Sequence, residues 1–493
     1  MKDKAFAMGV IGALLLLLLG LFFLPYCAVS PITKEREFVL VSEGEEIEIG
    51  RKVDPKVIEE YGLYEDRMLQ EYINKVGQRL AQVSHRSDLI YRFKILDSPV
   101  VNAFALPGGY IYITRGMLAW LNSEAELASV LAHEIGHVTA RHAVHQLTKA
   151  RSYQILSTLG AIFIEEYRVA QRRYGDLFDL LFVGILQGYG RKNEFQADSL
   201  AIEYAFKAGY DPEASVSFMK TLERMKDEPK RERSFFEGLF ASHPPIEERI
   251  DKNREMSKAY LVEGREVIRL SKEYKSKIED LLYGDDPRYG TVIGNVFRHR
   301  DLAIEVTFPE KWKITNEKGR LLVKNPKAEQ LMELTSHDMA KRITAEVYAR
   351  NFFRKRALRP ISGTSVRING LDAFVALADG RVEPFGPVRL KIVFILKGDK
   401  VLHLVGLAPP HEFKGLEEVF SQSILSFKVL SVEEAEAIRG LRIRIYKVQR
   451  GDTITSIAER ELGEPEKASE IAKLNGIEIE ATLKEGDLIK LIK

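Results

Sequence analysis

Residues 131–142 read LAHEIGHVTARH, and this stretch is the starting point for predicting the fold of the chain. An α-helix completes one turn every 3.6 residues, so His133 and His137 project from one face, one above the other. Two imidazoles placed in this way can hold one zinc ion. Glu134 lies about 100° further around the helix, within reach of a water molecule activated by that ion. The pattern predicts a zinc site in which Glu134 takes the proton of the water and passes it to a leaving amine.

A catalytic zinc ion needs a third protein ligand and an open position. His142 and His145 are predicted to lie on the continuation of the same helix, too far along it to share the metal, with a role in packing or at the surface. Residues 190–204, GRKNEFQADSLAIEY, have helical spacing and place Glu194 and Asp198 one turn apart. Behind an upstream HExxH motif this is the arrangement of gluzincin peptidases, in which the glutamate is the third ligand and the aspartate hydrogen-bonds a ligand histidine.

Four segments, taken in order, resemble the HtpX/BepA-like branch of the zinc metallopeptidases. They are SPVVNAFALPGGYIYITRGML, ELASVLAHEIGHVTARH, RKNEFQADSLAIEYAFKAGYDP and SHPPIEERI. The resemblance extends over about residues 36–265 and implies a zinc-dependent endopeptidase with one Zn²⁺ per chain. The implied ligands are His133, His137 and Glu194. Glu134 is the implied general base, and Asp198 is implied to orient a ligand histidine.

The resemblance also assigns roles around the metal. His243, in SHPP, is implied to occupy the open zinc position and hold the enzyme inactive; a simple structural turn residue is the alternative. Arg249 is implied to contact the same site or the substrate carbonyl. The segment GGYIYIT is implied to be an edge strand that binds an extended substrate by backbone pairing. The predicted substrate-binding residues are Gly109, Tyr110, Ile111, Tyr112 and Ile113.

The amino terminus predicts export. Lys2 and Lys4 precede an uncharged run, residues 5–30, which is longer than the roughly 18 apolar residues needed to cross a bilayer. Residues 1–30 are therefore interpreted as a signal or membrane-anchor segment. A retained helix and a lipoprotein with lipid on Cys27 are the two main alternatives, and Pro31 disfavours cleavage after residue 30. Both alternatives place the protein in the cell envelope, on the periplasmic side of a membrane.

The bulk composition excludes some classes of function. The chain has 493 residues, enough for roughly three domains. Lys and Arg number 73 and Asp and Glu number 71, and no block of like charge predicts a nucleic-acid groove. Two apolar stretches, residues 154–164 and 177–188, are too short to span a membrane and predict a buried or membrane-facing helix hairpin.

The second half of the chain differs in pattern. Residues 36–285 are predicted to form the metallopeptidase domain, and strand-like runs in residues 286–430 predict an α+β domain. Residues 397–400, KGDK, predict a hairpin there. The segment LAIEVTFPEKWKI resembles the opening of PsbP-like domains, and the role of this domain stays open between a spacer and a docking module. Residues 431–444 are predicted to be a linker helix.

Residues 445–493 resemble a LysM domain, in the order strand, helix, helix, strand. The resemblance covers YKVQRGDTITSIAERELG and IAKLNGIEIEATLKEGDLIKLI and implies binding of peptidoglycan or a related glycan. Two turns are the predicted contacts. Their residues are Gly451, Asp452, Thr453, Asn475, Gly476 and Ile477.

The predicted fold is a multidomain α+β protein: a mainly helical zincin-type domain with a small sheet, a PsbP-like α+β domain, and a βααβ LysM domain. The predicted function is an envelope-anchored zinc endopeptidase that cleaves unfolded or misassembled envelope proteins and is held at peptidoglycan. The helical TPR repeats of some envelope relatives are absent from the sequence, because no 34-residue helical period is found. A chaperone-like assembly factor with a latched zinc site and a peptidoglycan hydrolase are the alternatives.

Overall fold

A computed structural model describes residues 27–160, 188–226, 236–243, 247–261, 266–317, 319–326, 330–382 and 385–493. These residues form two compact units. The first contains the chain up to Leu281 together with Arg442–Lys493, and the second contains Leu282–Leu441. Residues 1–26 of the predicted anchor lie outside the described residues. Residues 161–187, which contain most of the predicted apolar hairpin, also lie outside them. Within the described ranges, no helix is both long and apolar enough to cross a membrane.

The first unit is mainly helical before Leu281. Its helices are α1 Glu43–Tyr61, α2 Arg67–Ala81, α3 Arg115–Trp120, α4 Glu124–Thr139, α5 His142–Gly160, α6 Arg191–Lys207, α7 Ala214–Lys226, α8 Glu237–Ser242, α9 Glu247–Tyr260 and α10 Ser271–Lys277. Side-chain caps explain where several begin. Ser42 accepts a hydrogen bond from the Glu45 backbone N–H at the start of α1, and Ser123 does the same for Glu126 at the start of α4.

Helix α4 is the central element of this unit. Every residue of α4 except His133 is buried, and α2, α6, α7 and α10 all pack against it. Gly136 permits the close approach of α6, because a Cβ at this position would lie 3.1 Å from the backbone oxygen of Ala197. The HExxH motif is thus held by its own glycine against the helix that carries Glu194.

The chain turns sharply after α4. Arg141 has a φ of 53°, in the left-handed region, so α4 ends at Thr139 and α5 starts again at His142. Arg141 is held there by hydrogen bonds to Glu46 Oε2 at 2.9 Å and to the backbone oxygen of Val41 at 3.1 Å. The prediction that His142 and His145 lie on the continuation of the HExxH helix is therefore wrong.

The first unit also contains a three-stranded sheet. Its strands are β3 Arg92–Leu96, β4 Ala103–Leu106 and β5 Tyr110–Thr114, in the order β3-β5-β4. Strand β5 is parallel to β3 and antiparallel to β4. The predicted substrate strand, residues 109–113, is therefore central, and its backbone groups face β3 on one side and β4 on the other. The prediction that it is an edge strand is wrong. Two short strands, β1 Cys27–Val29 and β2 Arg36–Phe38, pair separately in antiparallel fashion.

The carboxyl-terminal residues have the predicted order of elements. They form β18 Leu441–Lys447, α14 Ile454–Leu462, a 3₁₀ turn Pro465–Lys467, α15 Ala468–Leu474 and β19 Leu488–Ile492. The two strands pair in antiparallel fashion, and an apolar cluster that includes Ile454, Ile457 and Leu491 lies between strands and helices. We call residues 442–493 the C-terminal module. It was predicted as a separate domain, whereas in the structure it belongs to the same compact unit as α4.

The second unit has the predicted α+β character. Its strands are β6 Leu282–Tyr283, β7 Thr291–Ile293, β8 Val296–His299, β9 Ile304–Thr307, β10 Lys313–Glu317, β11 Arg320–Lys324, β12 Leu331–Asp338, β13 Arg359–Ile368, β14 Leu371–Val382, β15 Gly386–Lys397, β16 Lys400–Ala408 and β17 Lys428–Val429. Its helices are α11 Ala345–Lys355, α12 Phe413–Leu425 and α13 Val432–Glu436.

Two antiparallel sheets organise the second unit. One has seven strands in the order β10-β11-β12-β16-β15-β14-β13, and the other has four in the order β17-β9-β8-β7. Helix α11 packs on β13, β14 and β15, and α12 packs on β9, β15 and β16. The predicted hairpin at residues 397–400 is confirmed as the β15–β16 connection, where Gly398 supplies a φ of 65°.

Candidate active site

Four side chains of the first unit converge on one point. His133, His137, Glu194 and His243 each offer a ligand atom, and these atoms all lie within 4.8 Å of one another. The Nε2 atoms of His133 and His137 are 3.0 Å apart. Oxygens of Glu194 lie 3.5 Å from the first and 3.4 Å from the second. The Nδ1 atom of His243 is 3.3 Å from His133 Nε2 and 3.1 Å from Glu194 Oε2. The structure therefore brings the three predicted ligands and the predicted latch histidine together.

Three helices position these side chains. His133 and His137 are one turn apart on α4, and Glu194 lies in the first turn of α6. His243 ends α8 as its carboxyl-terminal cap, and its backbone N–H donates to the oxygen of Leu239 at 2.7 Å. The ligand set thus combines a local motif with two residues that only the tertiary fold brings near it.

Asp198 and Arg249 form hydrogen bonds that hold His133 and Glu194 in place. Asp198 Oδ1 accepts from the Nδ1 of His133 at 3.0 Å, which leaves the Nε2 lone pair of that ring facing the cluster. Arg249 donates from Nε and Nη2 to both oxygens of Asp198, each at 2.7 Å, and its Nη1 lies 3.0 Å from Glu194. Arg249 therefore contacts the site through Asp198 and Glu194.

His142 orients the second histidine of the motif, a role that the sequence did not predict. Its Nε2 lies 3.0 Å from Gln196 Oε1, and its Nδ1 lies 2.8 Å from the Nδ1 of His137. The Gln196 oxygen only accepts, so His142 carries its hydrogen on Nε2 and accepts from His137 through Nδ1. The Nε2 lone pair of His137 is then free to face the cluster. The turn at Arg141 makes this contact possible.

The protonation states suit a metal ligand set. Burial lowers the pKa of His137 well below its ordinary value and so keeps the ring neutral. Burial opposes ionisation of Glu194, but His243 and the two motif histidines hold its pKa well below the usual range. Burial also lowers the pKa of His133, yet hydrogen bonds to Asp198 and Glu194 outweigh it and raise this pKa to about 10. A cation at the centre of the cluster would take the place of that proton.

The donor set fits zinc. Ligands at about 2.0–2.2 Å from a tetrahedral ion are spaced by roughly 3.3–3.6 Å from one another. The separations of 3.0 to 3.5 Å among the two motif histidines, Glu194 and His243 are close to that spacing. Imidazole and carboxylate are both ordinary zinc ligands.

Glu134 is placed beside the ligands without belonging to them. It is 2% exposed, and among the described residues no hydrogen-bond donor reaches its Oε2. Its Oε1 lies 3.6 Å from Nε2 of His243. Burial raises the pKa of this carboxyl group, which makes it a stronger base than an exposed glutamate. A buried carboxylate oxygen with no donor is costly in a structural role and is suited to accepting a proton.

The sheet meets the site through β4 rather than β5. Strand β4 packs against α4, and residues 105–107 line a small pocket together with His137 and Tyr189. The Tyr189 ring stacks on His137 with centroids 4.2 Å apart. The predicted substrate residues 109–113 are all buried inside the sheet. The edge that borders the site therefore belongs to residues 103–106.

The two predicted glycan turns are in different environments. Gly451 and Thr453 are exposed, and the Asp452 carboxylate accepts from the Tyr446 hydroxyl and the Gln449 backbone N–H. Asn475 is buried instead. Its amide donates to the oxygens of Ile471 and Lys490 and accepts from the Lys490 N–H, so it is a core residue of the module and is not available to a sugar.

The remaining residues of the second turn lie beside the helical part of the unit. A Cβ added to Gly476 would lie 3.4 Å from side-chain atoms of Asn122 and Thr221. Ile477 is half-buried and packs against the apolar cluster of the module. The second turn therefore faces the rest of the unit, whereas the first turn faces solvent.

Comparison with known proteins identifies the family. The profile of peptidase family M48 matches residues 67–257. The mitochondrial metalloendopeptidase OMA1 of Schizosaccharomyces pombe is 31% identical over 243 residues, which are 48% of this chain and 68% of that protein. This chain is a member of peptidase family M48. It is a zinc metalloprotease, and the converging His and Glu side chains fit that cofactor.

A bacterial envelope relative matches over a shorter share of its length. The β-barrel assembly-enhancing protease of Escherichia coli strain K12 is 28% identical over 214 residues, 43% of each chain. Among solved structures, the cyanobacterial PsbP of Synechocystis sp. PCC 6803 matches 28% of this chain and 95% of its own, with 11% identity and a TM-score of 0.25. A similarity this low supports no inference about fold or role.

Proposed function

We propose that this member of family M48 is an envelope-anchored zinc endopeptidase that cleaves unfolded or misassembled envelope proteins. The observation that carries the proposal is the convergence of His133, His137 and Glu194 beside the buried carboxylate of Glu134, whose Oε2 has no donor among the described residues. The name of the E. coli relative, a β-barrel assembly-enhancing protease, supports an envelope substrate. We assign the anchor to residues 1–30 or to lipid on Cys27, and peptidoglycan binding to the C-terminal module through its exposed turn, Gly451 to Thr453.

The proposed mechanism divides the work among six side chains. His133, His137 and Glu194 would hold the zinc ion, which would supply the acidification of a water molecule and the polarisation of the scissile carbonyl. Glu134 takes the proton of the water and returns it to the leaving amine. Asp198 holds His133 in the tautomer that directs Nε2 at the metal, and Arg249 keeps Asp198 and Glu194 ionised and fixed.

We assign substrate capture to the edge of β4. An extended chain that pairs with residues 103–106 would lie along α4 and reach Glu134. Helix α8 restricts this path, because its Gly238 packs on Val100 and Asn102 at the start of β4. The same helix ends in His243. One movement of α8 would therefore free both the approach to the strand and the fourth position of the metal.

The first test is cleavage of an unfolded protein by the full chain and by Glu134→Gln, at matched zinc content. We expect the variant to lose about 10²- to 10⁴-fold in rate, the usual contribution of a general base. Glu59→Gln, an exposed glutamate on α1, is the matched control and should cleave like the wild type. Equal cleavage by the Glu134→Gln variant would contradict the proposal. Release of soluble muropeptides from purified sacculi would instead favour a peptidoglycan hydrolase.

A latched, chaperone-like protein is the second candidate, and the position of His243 favours it. The Nδ1 of His243 lies in the ligand cluster, 3.1 Å from Glu194 Oε2, where it would occupy the position that a substrate needs. If His243 is a latch, His243→Ala should raise the rate of cleavage severalfold while zinc stays bound. An unchanged or lower rate would count against a latch and would leave His243 as a structural residue of the turn.

A further inference from the structure

Lys490 is a fully buried lysine at the contact between the C-terminal module and the helical part of the first unit. It is 0% exposed, and its Nζ donates to the backbone oxygens of Ala119, at 2.7 Å, and Leu121, at 2.8 Å. Lys490 lies in β19 between Ile489 and Leu491, which point into the apolar cluster of the module. Strand alternation therefore directs Lys490 out of the module and into the neighbouring helices.

One oxygen, of Ala119, lies in the last turn of α3, and the other, of Leu121, lies in the link that leads into the HExxH helix. Helix α3 ends at Trp120, and α4 begins after its cap, Ser123. Lys490 therefore binds backbone carbonyl oxygens at this position. Glu126 binds a backbone N–H group of the link, because its Oε2 accepts from Asn122 at 2.7 Å. The start of α4 is thus fixed by one residue of the module and one residue of the helix itself.

Other contacts dock the module on the same surface. Lys275, on α10, donates to the backbone oxygen of Leu488 at 2.8 Å. Backbone hydrogen bonds join Ile443 to Leu281 at 2.8 Å and Asp280 to Ile443 at 2.9 Å. The second turn of the module lies on the same side, since Gly476 faces Asn122 and Thr221. The surface of the module that carries Lys490 is therefore an internal interface.

A buried lysine side chain with two carbonyl partners has a clear physical consequence. Burial of a polar group is unfavourable unless hydrogen bonds compensate it, and here two main-chain oxygens do so. Loss of Nζ would leave both oxygens buried without this donor and would loosen the link. Helix α4 is packed along its whole length, so a displacement at its start would reach His133 and Glu134 in the middle of the same helix.

We propose that the C-terminal module is an integral part of the peptidase and that Lys490 is a positioning residue for the HExxH helix. The proposal rests on the peptidase activity, and amide exchange provides a readout that is independent of cleavage. The module then supports catalysis from within the molecule, whatever its exposed turn binds. This role differs from that of a tethered glycan-binding domain, whose removal or distortion would leave the rate of cleavage in solution unchanged.

The test compares Lys490→Met with Lys484→Met in the full chain. Lys484 is an exposed lysine of the same module and provides the matched control. For Lys490→Met we expect kcat on an unfolded protein to fall about 10- to 100-fold, as misplacement of catalytic groups by a distant change does. We expect little change in KM and zinc content, and faster amide hydrogen exchange in residues 119–127. Lys484→Met should match the wild type in all of these.

A second pair of variants keeps the proposal testable if Lys490→Met fails to fold. Gly476 and Gly463 both have left-handed backbone, with φ of 66° and 71°, and asparagine tolerates this conformation. Gly476→Asn places a side chain against Asn122 and Thr221, whereas Gly463→Asn meets nothing within 4 Å. We expect lower kcat and faster exchange at residues 119–127 for Gly476→Asn alone.

Two results would overturn the proposal. One is an unchanged kcat in a folded Lys490→Met protein or, where that variant does not fold, in Gly476→Asn. The other is faster exchange confined to residues 442–493, which would show that the module loosens without affecting α4. In either case a Glu134→Gln variant that has lost cleavage would still support the peptidase assignment, so the two failures are distinguishable.

Discussion

The two ends of helix α4 are both buried and rich in polar side chains, but their hydrogen bonding is opposite. At the start of the helix, Glu124 accepts from the hydroxyls of Tyr72 and Tyr210, at 2.8 and 2.9 Å. Glu126 accepts from the Ser217 hydroxyl at 2.6 Å and from the Asn122 N–H at 2.7 Å. Each of these four carboxylate oxygens has a donor, so this end is complete as a structural element.

At the other end, metal-binding atoms face one another. The Nε2 atoms of His133 and His137 point at the same space as the oxygens of Glu194, and Glu134 Oε2 has no donor among the described residues. A buried acceptor without a donor destabilises the folded state unless a cation or a reacting proton binds to it. The comparison shows that a reactive cluster differs from a structural one in its balance of hydrogen-bond donors and acceptors. The number of charged residues matters less.

The sharpest way to test the catalytic end is to remove a residue that orients a ligand without being one. His142→Ala removes the acceptor of the His137 Nδ1 hydrogen bond, which is 2.8 Å long. We expect zinc affinity or cleavage to fall about 10- to 100-fold, as for other partners of metal-bound histidines. Zinc affinity is measured by competition with a chelator.

The control for that experiment is His145→Ala. His145 lies three residues further along α5 and its Nε2 is 3.3 Å from Glu37, away from the cluster. It should behave like the wild type. If the two variants bind zinc equally well, the hydrogen bond from His137 to His142 does not contribute to the site.

A smaller effect is expected at the start of the helix. Tyr210→Phe removes one donor from buried Glu124 and should lower the free energy of unfolding by about 1–2 kcal/mol. Cleavage per folded molecule should be unchanged, because Tyr72 still holds the other oxygen. Urea unfolding, followed by the fluorescence of Trp120 in a Trp312→Phe background, reports on this unit. A loss of cleavage without a loss of stability would show that the two ends are not distinct.

The sequence predicted the parts of this molecule that local spacing encodes. The HExxH spacing, the Glu194–Asp198 pair and the hairpin at residues 397–400 each depend on residues within a few positions of one another. The zinc metalloprotease assignment followed from such spacing and is confirmed by the family match. The roles of the individual site residues stay predictions, although the structure brings those side chains together.

Errors arose where tertiary pairing decides the outcome. Strand β5 was predicted at an edge because its sequence does not show that β3 pairs with its free side. His142 was predicted to be remote because the turn at Arg141 depends on Glu46, nearly a hundred positions earlier. The alternating pattern of β19 predicts that Lys490 lies at the surface. In the structure the module is docked on this face, and Lys490 is buried.

The central claim is that the acceptor-rich end of α4 is the zinc site, and its most direct test is a count of zinc per chain. Purified wild-type protein and Glu194→Gln are compared by mass spectrometry after removal of loosely bound metal, with Glu124→Gln as the control at the other end of the helix. We predict one zinc ion in the wild type and in the control, since one ligand cluster is found among the described residues, and little or none in Glu194→Gln. Full zinc content in the Glu194→Gln variant would contradict this account.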